Sequence, residues 1–98
     1  MAFCIVFDLP SVELYDAAHP EFSQYPTGEL LLHPARSTGD GVQVVEAWTS
    51  VEAYQEWMTD FGGPALGKLA AAGWELPEVT PTPFEAAGLI VPASGVAV

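Results

Sequence analysis

The chain has 98 residues, half of them hydrophobic and 15% charged, with thirteen Asp and Glu against two basic side chains and a net charge of −11. That length holds one domain with a modest core, burying roughly 60–68% of the unfolded surface, and the apolar content excludes a disordered chain. The dispersed acidic surface repels phosphate backbones and anionic headgroups, so no nucleic acid and no membrane is expected as a partner; with Arg36 and Lys68 the only cations, phosphate-bearing cofactors are disfavoured too.

The first predicted element is a strand over residues 2–7, with Phe3, Ile5 and Phe7 on one face and Cys4 and Val6 on the other. Cys4, the sole cysteine, reads as a small buried hydrophobe and excludes an intrachain disulfide. The opening MAFCIVFDLP lacks the basic region and long apolar run of a signal peptide, and no window approaches a membrane span, so a cytoplasmic protein is expected. Ser11 can cap a short helix through Val12, Leu14, Tyr15 and Ala18, which His19-Pro20 is expected to stop. Residues 22–27 read as a loop.

Residues 29–33 and 42–48 are the second and third strands, joined as a hairpin through the turn STGDG at 37–41. Thr49 and Glu52 fit a capping box. The helix beyond carries Val51, Tyr54, Trp57, Met58 and Phe61 on one face, with Glu52, Gln55, Glu56, Thr59 and Asp60 opposite. Gly62-Gly63-Pro64 is expected to break it and start a second piece, buried through Leu66 and Leu69, with Lys68 near its end and Gly73 closing it. Prolines 77, 81 and 83 permit only an extended edge. Residues 86–91 are the last predicted strand, and 92–98 a flexible tail.

The order β-α-β-β-α-β is the ferredoxin-like arrangement, an α+β fold with an antiparallel sheet, here a single domain over residues 1–91. The strands are apolar on both parities, yet two short helices can cover one face only. The other is expected to meet the same face of a second copy, giving a homodimer with a barrel closed between two sheets.

Two passages sharpen this. Pro26-Thr27-Gly28-Glu29-Leu30-Leu31-Leu32-His33, followed by Gly41-x-x-Val44-Val45-Glu46-x-Trp48-x-Ser50-x-Glu52-Ala53, resembles the dimeric α/β-barrel superfamily, and within it the small antibiotic-biosynthesis-monooxygenase-like proteins of bacteria. The resemblance covers residues 1–91 and is specific for the fold more than for the reaction. It implies a homodimer with a pocket between sheet and helices for small, largely apolar ligands. It also implies chemistry without a cofactor: oxygenation of polycyclic phenols, or cyclisation and isomerisation of polyketide-like compounds; other members degrade haem, and some have no demonstrated catalysis. The haem-degrading and quinone-forming members use an Asn–Trp–His or Asn–Trp–Tyr set. This chain has no asparagine, and its long helix has no histidine, which counts against that oxygen chemistry.

Among the residues themselves, His33 is the first candidate, because an imidazole at the end of an apolar strand suits proton transfer near neutrality. Glu46 is the second. If the hairpin turns about Gly39-Asp40, His33 lies across from Glu46 and Leu31 across from Trp48, and the carboxylate would orient the imidazole. An odd-numbered loop would place the pair on opposite faces, and the pattern leaves that register open. Tyr54 and Tyr15 could polarise a ligand oxygen, while Leu31, Trp48, Trp57, Met58 and Phe61 would line the pocket or the core. His19 and His33 lack metal-ligand spacing, so no metal is expected. The expected function is a cofactor-independent acid–base enzyme for a small apolar or aromatic metabolite; the alternative is a non-catalytic binding or accessory homodimer of the same fold.

Overall fold

The computed structural model describes residues 2–23, 29–77, 81–91 and 96–97. The elements run β1 (Phe3–Leu9), α1 (Val12–Ser23), β2 (Leu30–Leu32), β3 (Ala35–Ser37), β4 (Val42–Trp48), α2 (Val51–Trp57), a π-helical turn (Met58–Gly62), α3 (Gly63–Ala71), β5 (Thr82–Glu85), β6 (Ile90–Val91) and β7 (Val96–Ala97). β2 and β3 are one strand interrupted at His33-Pro34, and both pair with β4. Taken as one, they give the antiparallel sheet order β2/β3–β4–β1–β5, and the fold is the α+β ferredoxin-like one.

The hairpin turn is closed by the Thr38 N–H donating to the Gly41 carbonyl at 2.9 Å, with Gly39 at φ +99° where a side chain would be unfavourable. Two central residues therefore set the register. Leu32 pairs with Ala47 and Ala35 with Val44, so His33 falls opposite Glu46. Beyond His33 an irregularity intervenes, and Leu30 rather than Leu31 lies opposite Trp48. Such a bulge carries one residue past its partner and turns the side chains beyond it. Leu31 packs instead on Ala2, Cys4 and Ala47, on the face away from the helices.

Four further expectations are corrected. α1 does not stop at His19 but runs through Pro20 to Ser23. Phe22 in its last turn stacks on Trp57 at 5.5 Å between centroids, and that burial offsets the backbone bond Pro20 cannot make. The cap of α2 is Ser50, whose hydroxyl accepts the Ala53 N–H at 3.1 Å; Thr49 is still held in the sheet, its N–H donating to the Glu29 carbonyl at 2.9 Å. Gly62-Gly63 does not break the helix: both residues are α-helical in backbone angle, and the chain passes through the π turn into α3. The extra residue in that turn puts Gly62 inward and leaves Phe61 40% exposed.

The last strand paired with β1 is Thr82–Glu85, not residues 86–91. Ala86 donates its N–H to the Ala2 carbonyl at 3.1 Å, so residues of even number in this segment point their amides at β1. Pro81 and Pro83 have the odd parity, where the missing N–H would face the open edge. Ile90–Val91 pairs with Val96–Ala97 in a separate two-stranded ribbon. The rest of the expected tail, residues 92–95 and 98, lies outside the described residues, as do residues 24–27 of the expected loop and the Pro26-Thr27-Gly28 start of the first passage that carries the resemblance.

Candidate functional site

The inward parity of the sheet presents Ile5, Phe7 and Leu9 from β1 and Val44, Glu46 and Trp48 from β4 to the helices. Between these layers lies a cavity of about 560 Å³. Its helical wall includes Leu14 and Phe22 of α1, Tyr54 and Trp57 of α2, and Leu69 of α3. Alternation along the strands and the i, i+3, i+4 spacing of the helices are what bring these side chains to one space.

Glu46 is the one buried charged residue among those described, 6% exposed, and its two oxygens have different partners. Oε1 accepts the Trp48 indole N–H at 3.1 Å, from two residues along the same strand face. Oε2 lies 3.1 Å from His33 Nδ1, across the strand pair that the two-residue turn sets. A buried carboxylate is costly unless its oxygens are satisfied, and here both are. In a neutral ring this contact calls for the proton on Nδ1, toward the carboxylate, with Nε2 left as an acceptor. His33 lines the cavity with its side chain 28% exposed, so it meets solvent and cavity together.

Tyr54 stands beside this group, its ring 5.6 Å from those of Phe3 and Trp48. Burial pushes its phenol up from the ordinary value, and the negative charge of Glu46 adds to the effect. Tyr54 therefore stays protonated, and a hydrogen-bond donor, at neutral pH. Trp48 and Trp57 approach to 5.6 Å and hold the aromatic centre of the core, which Ala53 completes.

The structure thus brings His33, Glu46, Tyr54, Trp48, Trp57 and Met58 to one cavity, with Tyr15 on its helical wall. It does not bring Leu31, which the bulge turns to the other face, or Phe61, which the π turn rotates outward. His19 was missed as a cavity residue. The signal was its i, i+4 spacing from Tyr15 on a face with Leu14, Ala18 and Phe22, obscured by the proline that follows. Tyr15 Oη and His19 Nδ1 are 3.3 Å apart, and both line the cavity. Among the described residues no cluster of three or more His, Cys, Asp or Glu could hold a metal ion, and no helix is long and apolar enough to cross a membrane.

No protein-family model matches the chain, and no curated protein matches its sequence. Among solved structures, a Deinococcus radiodurans protein provisionally described as an antibiotic biosynthesis monooxygenase is similar in fold. The TM-score is 0.64 at 17% identity, over 93% of this chain and 97% of that one. The likeness runs almost end to end in both chains and shows that the two share one fold.

Proposed function

We propose that the protein is a cofactor-independent acid–base enzyme acting on a small, apolar or aromatic metabolite, with His33 moving the proton. The observation that carries this reading is the 3.1 Å contact of His33 Nδ1 with the buried Glu46 carboxylate at the wall of a largely apolar cavity. A carbon acid beside a carbonyl would lose its proton to Nε2, and the C–H electron pair would pass into the carbonyl to form an enolate. Glu46 stabilises the imidazolium that results, and the protonated Tyr54 phenol donates to the enolate oxygen. Return of the proton to another carbon completes an isomerisation. Attack of the enolate carbon on a second carbonyl, with the proton delivered to the new alkoxide, completes a cyclisation. Oxygenation of a phenol would start from a deprotonation of the same kind, with dioxygen as the oxidant and water as the second product.

The same reading includes a homodimer. The sheet face away from the helices carries Cys4, Val6, Leu31, Val45 and Ala47, and Leu32 and Phe84 stand exposed, all apolar. A second copy laid on that face would cover it.

The test is hydrogen exchange at the α-carbon of 2-tetralone in heavy water, followed by proton NMR. The wild-type protein is expected to exceed buffer exchange, and His33→Gln to lose that excess by about 100-fold or more while keeping its fold. Wild-type exchange no faster than buffer, or an unchanged variant, would leave the non-catalytic binding reading in its place. That reading draws on Glu46 having both oxygens already engaged within the protein.

A further inference from the structure

We propose that Tyr15 and His19 form a second polar anchor in this cavity, so that its ligand is an uncharged, ditopic molecule with an oxygen function at each end. The inference rests on the acid–base reading of the cavity and adds the class of molecule that fits it.

Tyr15 and His19 lie one turn apart on α1, with their rings 5.5 Å apart and the hydroxyl 3.3 Å from Nδ1. Both side chains line the cavity from the helical layer, Tyr15 half-buried and His19 exposed at its solvent edge, whereas His33 and Glu46 line it from the sheet. Around Tyr15 and His19 the helical wall is apolar: Leu14, Ala18, Phe22, Leu66 and Leu69. No hydrogen bond joins the two polar pairs among the described residues. They are separate points of attachment in one space of about 560 Å³, a volume within the range of small-molecule sites.

The two histidines are also complementary. His33, donating through Nδ1 to Glu46, offers a lone pair at Nε2. When the Tyr15 phenol donates to His19 Nδ1, the proton of the neutral His19 ring sits on Nε2, which then offers a donor. One end of the ligand therefore gives a proton and the other accepts a hydrogen bond. Among the described residues no Lys or Arg lines the cavity and the chain carries a charge of −11, so a carboxylate or phosphate at either end would find no lysine or arginine to pair with. A fused-ring phenol or ketone with a second oxygen at its far edge meets these demands, and fixing both ends selects one orientation for the proton transfer.

The experiment compares 2-naphthol with 2,6-dihydroxynaphthalene as probes, titrated against the intact protein and followed by tryptophan fluorescence, since Trp48 and Trp57 line the cavity. The symmetric diol gains about twofold from having two equivalent ends. The second anchor raises the wild-type preference for the diol to about 5- to 20-fold, one added hydrogen bond on top of that symmetry factor. The preference falls back to about twofold in Tyr15→Phe and His19→Leu, with folding checked by circular dichroism, and His19→Gln, which keeps an N–H donor, recovers part of it. A wild-type preference of only twofold, with both probes bound, overturns the second anchor and leaves the acid–base reading standing. So does a full preference retained in Tyr15→Phe and His19→Leu. Failure of both probes to bind the wild type overturns the cavity reading and the anchor with it.

Discussion

Glu46 joins His33 and the Trp48 indole through different oxygens, so its substitutions separate orientation from charge. Glu46→Gln can keep an acceptor for the indole while removing the anion that holds His33. We expect proton-transfer activity to fall about 10- to 100-fold, as for other outer partners of a working imidazole, with Tm little changed. Glu46→Leu orphans the buried indole N–H as well, and should cost about 1–3 kcal/mol in chemical denaturation. Tyr54 makes a pH prediction. Burial and the Glu46 charge raise its phenol in the folded state only, so the unfolded chain ionises first as pH climbs. Its contribution to stability is complete below the ordinary phenol value of ~10 and is lost as pH rises from there through the raised folded value. The Cys4 thiol, also raised by burial, acts in the same direction from a lower starting pH. A tyrosinate absorbance titration should show a late-ionising phenol that disappears in Tyr54→Phe. At this scale the sequence was informative but conditional. A two-residue turn was enough to place His33 opposite Glu46, yet nothing in the pattern of three consecutive leucines revealed the bulge that removes Leu31 from the site.

At the scale of elements, the helical run from Val51 to Ala71 depends on Gly62. A Cβ there would meet Met58 Sδ at 2.5 Å and Trp57 Cζ3 at 2.9 Å, two side chains of the cavity wall. Gly62→Ala should therefore destabilise the protein by about 1–3 kcal/mol. Gly67→Ala, with open space around the added carbon, should stabilise it by about 0.5–1 kcal/mol. Thermal melts of the two variants should move in opposite directions. Ser50→Ala should cost about 1 kcal/mol through the lost cap, and Thr49→Ala less. The sequence made Gly62-Gly63-Pro64 look like a break because glycine and proline are poor helix formers one at a time. The requirement for glycine comes from Trp57 and Met58, one turn earlier, and only packing exposes it. The edge strand was misplaced for a related reason: apolar content favoured residues 86–91, while the parity of Pro81 and Pro83 admits pairing at Thr82–Glu85.

For the whole molecule, one sheet face is covered by helices and the other carries apolar side chains, a division already readable in strands that are hydrophobic on both parities. A stable partner on that face would bury on the order of 1,200–2,000 Å² in total. Sedimentation should find a particle of twice the 10.4 kDa chain mass, and Val45→Glu, on the outward parity of β4, should return it to the monomer. A monomeric wild type would remove the homodimer and leave the cavity, which a single chain already forms between its own sheet and helices. What the sequence could not supply is the chemistry of the ligand, because that depends on which polar groups share one space, and Tyr15 and His19 are joined to Glu46 only through the fold.

The most direct test of the central claim is a long-range proton–nitrogen NMR correlation of the His33 ring, with and without 2-naphthol. The ring should be protonated at Nδ1 in its neutral form, with an Nε2 resonance that moves when the phenol binds. Glu46→Gln should disturb this tautomer. An Nε2-protonated ring, or an Nε2 signal indifferent to a bound phenol, would contradict it and return His33 to the role of a strand-end residue.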